Sequence, residues 1–128
     1  MKIIIRLLLL SIVFQSFQCE ENENTSNSTS LQLEEKKQEI LDYIQSFSCT
    51  DASGCNYIAF GAKPCGGPRE YLVYPNTVNQ NTLENLVNEY YEMDNQHNIQ
   101  TGAISDCMVV LPPNAVDCVA GVCTIVDQ

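Results

Sequence analysis

Cysteine dominates the reactive chemistry of this sequence, which contains seven cysteines and one histidine in 128 residues. Cysteines pair as disulfides in an oxidising compartment, whereas clustered thiolates bind metal ions. Zinc thiolates usually lie two to four residues apart within a pair. Cys49 and Cys55 are too far apart for that spacing, and Cys118 and Cys123 are at its limit. We therefore expect disulfides, with no metal and no cofactor.

A secretory signal is predicted for residues 1–18. Lys2 and Arg6 flank the start of a hydrophobic run that ends at Phe14, so a charged region is followed by an apolar one. The run is shorter than the ~20 apolar residues of a membrane-spanning helix. The pattern predicts export and no transmembrane helix.

Cys19 follows the hydrophobic run, where bacterial lipoprotein signals place the cysteine that becomes acylated. Ser16 and Gln18 differ from the Leu-like and small residues that normally precede that cysteine, so ordinary cleavage near Gln18 is the alternative. Acylation of Cys19 leaves an even number of cysteines, which suits three bridges. We expect Cys19 to carry the lipid and the membrane to be contacted through this anchor alone. The protein would then face the periplasm or the cell surface, and otherwise be secreted.

Six cysteines remain for three disulfides: Cys49, Cys55, Cys65, Cys107, Cys118 and Cys123. Cys118 and Cys123 flank a predicted hairpin whose turn is Ala120-Gly121. Such a position brings the two Cα atoms to ~4.5 Å, within disulfide reach.

The same local argument pairs Cys49 with Cys55 and leaves Cys65 with Cys107 as the one long-range bridge. This is one of the fifteen connectivities that six cysteines allow. The long bridge is expected to contribute about 4 kcal/mol to stability and the short ones about 2 kcal/mol.

The elements that must position these cysteines follow from composition and periodicity. Residues 19–30 after the signal are polar and are expected to form a disordered tether behind the lipid. Residues 31–128 are expected to fold as one disulfide-stabilised domain. Helices are predicted at 33–47, with Ser30 available as a cap, and at 82–95, where Asn81 and Glu84 have capping-box spacing.

Four short runs have strand character. They are Asn56 to Gly61, Glu70 to Tyr74, Cys107 to Leu111 and Val122 to Val126. The order of elements predicts an α+β fold, with two helices packed on a small, mostly antiparallel sheet.

One loop between predicted strands concentrates glycine, proline and basic residues, and we identify it as a possible recognition loop. Its candidate residues are Lys63, Pro64, Gly66, Gly67 and Arg69. Bare glycine backbone admits close approach, and the two cations offer charge to a partner. The alternative is that this loop is only a tight connection between the strands, held in place by a disulfide at Cys65.

The loop, with Ser105-Asp106-Cys107-Met108-Val109-Val110 and the later Cys118 to Cys123 pair, resembles a group of small exported lipoproteins of Bacteroidota bacteria. The resemblance covers roughly residues 49 to 123 and rests mainly on Lys-Pro-Cys-Gly-Gly-Pro. It implies an exported context and paired cysteines, and it implies no activity.

The mature chain has four basic and sixteen acidic residues, a net charge of −12. Nucleic acid is therefore not expected as a partner, since phosphate binding needs clustered cations. His97 lies among amides at the end of the second helix, where we expect a solvated side chain and no catalysis. We predict a non-catalytic module, binding or structural, for an unknown protein or small molecule. The alternative is a serine-protease inhibitor that presents loop 61–71, with Arg69-Glu70 as the reactive bond.

Overall fold

The computed structural model describes residues 22–126, and side chains from residue 29 onward. The chain forms helix α1 (Asn22–Gln45), strands β1 (Cys55–Phe60) and β2 (Glu70–Pro75), helix α2 (Gln80–Thr101), and strands β3 (Val116–Val119) and β4 (Val122–Ile125). Each strand pair is an antiparallel two-stranded sheet. The predicted α+β class with disulfide staples is confirmed. Within the described residues no helix is long and apolar enough to cross a bilayer. The predicted signal and Cys19 lie outside these residues.

Helix α1 buries the predicted stripe, since Leu33, Ile40 and Ile44 are at most 8% exposed. It begins at Asn22, so it continues through residues 22–30, which the sequence predicts to be disordered, and Ser30 lies inside the helix. The segment contains no glycine or proline to stop a helix. Adding a residue to an existing helix costs far less than starting one, so polar residues can extend it.

Helix α2 is longer than predicted at both ends. The Asn79 side chain accepts a hydrogen bond from Thr82 N at 3.1 Å, so the cap precedes the predicted capping box at Asn81. The helix ends at Thr101, and the capping residue after it, Gly102, has a left-handed φ of 62°. Glycine adopts this conformation without a Cβ clash, and Ala103 N then donates to Asn98 O at 3.0 Å.

The main core lies where both helices pack on the β1–β2 hairpin. Phe60, Ile40 and Leu83 are its most deeply buried large side chains. The Phe60 ring stacks on Tyr90 of α2 with centroids 4.2 Å apart. The core thus holds the end of β1 against α2, directly before the loop that the sequence singles out.

The predicted hairpin around Ala120 and Gly121 is confirmed, with Cys118 opposite Cys123. Ala120 and Gly121 both have positive φ, 51° and 84°. A two-residue turn of this kind matches the twist of the flanking strands.

Two of the three predicted bridges are wrong. Cys49 is bonded to Cys118, and Cys55 is bonded to Cys123, so neither predicted short-range pair forms. The physical reason is the packing of the hairpin on the segment before β1, where Cys49 N donates to Gly121 O at 3.1 Å. That contact brings other sulfurs to the hairpin face. The predicted bridge between Cys65 and Cys107 is confirmed.

The predicted strand from Cys107 to Leu111 is also wrong. Residues 103–115 contain no strand, and the third strand is instead Val116–Val119. The run has the side chains of a strand, but strand character alone does not supply a neighbour with which to pair.

Candidate functional site

The four most exposed large apolar side chains of residues 29–126 lie in one stretch of chain, residues 104–111, which we call the apolar segment. Ile104, Met108, Val109 and Leu111 are 94%, 69%, 81% and 76% exposed. Single exposed apolar residues are common, but several together usually mark a contact with a partner. The apolar segment is therefore the strongest candidate for a binding surface in the described part of the chain.

The apolar segment is attached to the loop between β1 and β2 by one covalent and two polar contacts. Cys107 is bonded to Cys65, with a Cα separation of 5.3 Å. Lys63 Nζ donates to Asp106 Oδ1 at 2.9 Å and to the Met108 carbonyl at 2.7 Å. The hydrogen bond from Lys63, followed by that from Met108 N, lowers the pKa of Asp106 below its usual value. The segment is therefore held in place although its side chains face solvent.

The loop itself, residues 61–69, is closed by backbone hydrogen bonds. Gly66 N donates to Lys63 O at 2.8 Å, and Lys63 N donates to Gly67 O at 2.9 Å. At Gly61, with φ of 77°, an added Cβ would lie 3.0 Å from Arg69 Cγ. This glycine lets the chain turn while Arg69 passes close to it.

Below the loop, Arg69 reaches the last turns of α2. Its Nε donates to Asp94 Oδ2 at 2.7 Å and its second guanidinium nitrogen donates to Asp94 Oδ1 at 2.9 Å. Hydrogen bonding to Asp94 raises the pKa of Arg69. The same guanidinium nitrogen also donates to Asn98 Oδ1 at 2.8 Å.

Asp94 and Asn98 also hold the backbone of Ala62. Ala62 N donates to Asp94 Oδ2 at 2.8 Å, and Asn98 Nδ2 donates to Ala62 O at 2.8 Å. Both polar side chains are buried, at 3% and 6% exposure. Asp94 and Asn98 of α2 therefore bind both Ala62, near the start of the loop, and Arg69, its last residue.

The structure places the candidate recognition residues as follows. Gly66 and Gly67 are open, since an added Cβ would meet no atom within 4 Å at either. Lys63 and Arg69 are both in ion pairs with carboxylates of the same chain. A protease that took Arg69 into an acidic pocket would have to separate it from Asp94 first. The open glycines, and not the cations, are what the loop offers to a partner.

The other two basic side chains of residues 29–126 are also paired. Lys36 Nζ lies 2.6 Å from a Glu89 carboxylate oxygen and 3.0 Å from one of Glu39, and Lys37 Nζ lies 2.6 Å from one of Glu70. The hydrogen bond to Glu89 is the main reason that the pKa of Lys36 is raised. The remaining carboxylates leave the surface acidic, which does not suit an anionic ligand.

A groove of about 630 Å³ lies beside this ion pair. Its lining residues are Lys36, Asn85, Asn88, Glu89, Glu92 and Met93, and the groove is wide open to solvent. Small-molecule sites are usually concave enough to bury most of the ligand's surface. The groove is therefore a weaker candidate than the apolar segment.

Three sulfur atoms, those of Cys49, Cys55 and Cys123, lie within 4.8 Å of one another. That is the spacing of a possible metal site, but each sulfur is in a disulfide. A metal would need free thiolates. The arrangement is chemically two adjacent bridges.

His97, expected to be solvated, is only partly exposed, and its Nδ1 is buried with no hydrogen-bond partner among the described residues. A catalytic imidazole is usually oriented by a partner on one ring nitrogen. His97 has no such arrangement at Nδ1.

Sequence reasoning missed both the apolar segment and the buried Asp94. The run Met108 to Leu111 has the composition of a buried strand, and its exposure depends on the absence of a neighbour. Asp94 lies on a helix rich in acidic residues, and only the fold brings Arg69 to it. Comparisons with protein-family models, with curated proteins and with solved structures found no match.

Proposed function

We propose that this chain is a non-catalytic binding module, exported and lipid-anchored at Cys19 in the cell envelope, that binds a protein through the apolar segment. The proposal rests on one observation: the apolar segment has exposed side chains on a backbone that is held in place. Four large apolar side chains face solvent, yet the backbone beneath them is held by the Cys65–Cys107 bridge and by Lys63. A segment that is already ordered loses less conformational entropy when it binds.

The chemistry of the segment favours a protein with an apolar cleft. Covering exposed apolar surface contributes roughly 25 cal/mol per Å². A bilayer would also accept apolar side chains, but all four basic residues of the mature chain are paired with carboxylates. Without free cations, anionic lipid headgroups repel the domain. A protein surface is therefore the better partner.

The absence of catalysis in this proposal is supported by the cysteines and the histidine. Six cysteines lie within residues 22–126, and all six are in disulfides. A nucleophilic cysteine would need a free thiolate, and none of these six is free. A catalytic histidine is usually oriented by a hydrogen bond to one ring nitrogen, and Nδ1 of His97 has no such partner among the described residues.

The proposal is tested by site-specific photo-crosslinking in the producing cell with the full chain. A photoreactive residue is placed at Val109, and in a separate variant at Leu111. A matched control carries it at Leu31, which is 65% exposed on α1. We expect the same protein adduct from both segment positions and a yield at least tenfold lower from Leu31.

Ile104→Ser, made in the Val109 variant, should reduce the adduct, since it removes apolar surface from a side chain that is 94% exposed. Equal adduct yields from Leu31 and Val109 would contradict binding through the segment. So would crosslinking of Val109 to lipid alone.

The anchor is tested separately by the intact mass of the mature protein and by Cys19→Ser. The proposal expects acyl chains on Cys19 and movement of the Ser variant from the membrane fraction to the soluble fraction. An unmodified Cys19 would remove the lipoprotein part of the proposal and leave the binding part standing.

A further inference from the structure

The two bridges at the C-terminal hairpin bring four sulfur atoms together. Cys118 and Cys123 are opposite each other in the β3–β4 register, yet each is bonded to a cysteine outside the hairpin. Sulfur atoms of Cys49, Cys55 and Cys123 lie within 4.8 Å of one another, and Cys118 is bonded to Cys49. We call these four residues the sulfur cluster.

The four cysteines of the cluster differ in exposure. Cys49, Cys55 and Cys123 are 7%, 8% and 6% exposed, whereas Cys118 is only partly buried. Thiol–disulfide exchange requires a thiolate to reach a sulfur of the bond that it breaks. Because Cys118 is the most exposed residue of the four, we expect an external thiol to attack there first.

We propose that the sulfur cluster is a site of thiol–disulfide exchange, at which a small thiol converts the Cys49–Cys118 and Cys55–Cys123 bridges into Cys49–Cys55 and Cys118–Cys123. The product pairs are sterically available. The Cys49 and Cys55 sulfurs are already within 4.8 Å, and Cys118 and Cys123 are cross-strand neighbours within disulfide reach.

The exchange has three steps, each of which forms one S–S bond and breaks one. The external thiolate attacks Cys118 Sγ, forms a mixed disulfide and releases Cys49 as a thiolate. Cys49 then attacks Cys55 Sγ, which releases Cys123 as a thiolate. Cys123 attacks Cys118 Sγ in the mixed disulfide and releases the external thiolate. No net oxidation or reduction takes place, so the thiol acts as a catalyst.

The exchange changes what holds the hairpin. The present bridges join residues 69 and 68 positions apart and fix β3–β4 to the segment before β1 and to the first residue of β1. In the product, one bridge lies within the hairpin and the other within residues 49–55. The hairpin would then be held to that segment by noncovalent contacts, such as Cys49 N to Gly121 O at 3.1 Å. The cluster is thus a device that releases the hairpin, and it operates independently of partner binding at the apolar segment.

The test is peptide mapping of the full mature chain, folded with its bridges formed, after incubation with a small amount of reduced glutathione at mildly alkaline pH. Samples are quenched with acid, alkylated and digested without reduction. We expect Cys49–Cys55 and Cys118–Cys123 peptides to appear together, in equal amounts and with one rate constant, while neither Cys65 nor Cys107 becomes paired with a cysteine of the sulfur cluster. A sample without glutathione should keep the original pairs.

Hydrogen exchange gives a second measurement in the same samples. Amides of residues 116–125 should lose protection with the same rate constant, while those of α2 stay protected. The proposal is overturned if only the original pairs are seen until the bridges are reduced. It is also overturned if Cys65 or Cys107 becomes paired with a cysteine of the sulfur cluster at the same rate, because exchange would then proceed through global unfolding. A sample in urea shows what that scrambled pattern looks like.

Discussion

Asp94, which is 3% exposed, accepts two hydrogen bonds from Arg69, at 2.7 and 2.9 Å, and a third from the backbone nitrogen of Ala62. The hydrogen bonds of Asp94 to Arg69 and to Ala62 therefore join α2 to both ends of loop 61–69, to which the apolar segment is attached. A buried carboxylate that is fully hydrogen-bonded is costly to remove, because its donors are left without partners.

Asp94→Ala is expected to lower the free energy of unfolding by about 1 to 3 kcal/mol, mainly because the buried Ala62 N–H loses its acceptor. Arg69 contributes less to this loss, since its side chain is 42% exposed and can be hydrated. Urea unfolding with the bridges intact measures the change. Glu39→Gln is the matched control, because Glu39 is in an ion pair but is 56% exposed, and it should cost about 0.5 kcal/mol or less. Equal costs for the two variants would contradict a structural role for Asp94.

The pH dependence of the segment's attachment follows from the lowered pKa of Asp106. Folding lowers the pKa of Asp106 from its ordinary value of 3.8, so at pH values above 3.8 the ionised carboxylate stabilises the folded state. This contribution to stability is lost as the pH falls through the lowered pKa of the folded state. We therefore expect the attachment to be unchanged from neutral pH down to the ordinary value and to weaken below it.

Carboxyl chemical shifts across an NMR pH titration measure the pKa of Asp106 directly. Lys63→Gln removes the cation that contributes most to the shift, so the pKa of Asp106 should rise toward 3.8 in this variant. Lys37→Gln, which breaks a pair with Glu70, is the control and should leave Asp106 unchanged. Identical titration of Asp106 in the wild type and in Lys63→Gln would refute the assignment.

Ala120→Gly is expected to stabilise the protein by about 1 kcal/mol, because Ala120 has a φ of 51° that costs an L-residue with a Cβ roughly this much. Thermal unfolding with the bridges intact measures the shift. Gly121→Ala is the reciprocal variant and should destabilise. Its φ is 84°, and the nearest atom to an added Cβ is Ser48 Cβ at 3.8 Å, an ordinary contact. The loss would thus come from the backbone. A stabilising Gly121→Ala would show that the turn has a different conformation.

Two of the bridges close nearly the same loop, which reduces what either one contributes alone. By the chain-entropy relation, Cys65–Cys107 contributes roughly 4 kcal/mol, and Cys49–Cys118 would contribute roughly 4.4 kcal/mol if no other bridge spanned its loop, from separations of 42 and 69 residues. Cys55–Cys123 does span it, so we expect Cys49→Ser/Cys118→Ser to be less destabilised in urea than Cys65→Ser/Cys107→Ser. The Cys49→Ser/Cys118→Ser variant should also contain no free thiol within residues 22–126. Two free thiols from Cys55 and Cys123, detected by alkylation in denaturant, would fit the short-range bridges that the sequence suggests and would contradict the long-range ones.

The elements themselves could be predicted from the sequence because their signals are local. The Ala120-Gly121 turn, the buried face of α1 and the two strands of the first hairpin all follow from spacing within a few residues. The Cys65–Cys107 bridge was predicted only because it remained after two local pairs, both of which are wrong. The strand register of the hairpin places Cys118 opposite Cys123. The chain around Cys49 and Cys55, which packs on the hairpin, determines which sulfur each of them bonds.

The candidate site could be predicted only in part, since its parts come from distant places. Glycine and proline marked loop 61–69 correctly as a special connection. The partner of Arg69 lies 25 residues away on α2, and that of Lys63 lies 43 residues away. Charge pairing over such distances has no periodic signal in the sequence. Exposure of the apolar segment is equally invisible, because Met108 to Leu111 would have the same composition in a buried strand.

The Cys49–Cys118 bridge also determines how the molecule carries mechanical force. Tension applied between α1 and the end of β4 would pass through this bond and bypass the chain between its cysteines, which are 69 positions apart. Roughly 240 Å of chain, at ~3.5 Å per extended residue over a separation of 69 positions, could not lengthen while this bond and the neighbouring Cys55–Cys123 bond hold. The apolar segment and its loop lie inside this span. If a partner bound at the segment pulls against an anchor that precedes α1, the load reaches α1 through the short stretch from Leu111 to Cys118 and this bond, without stretching the rest of the span.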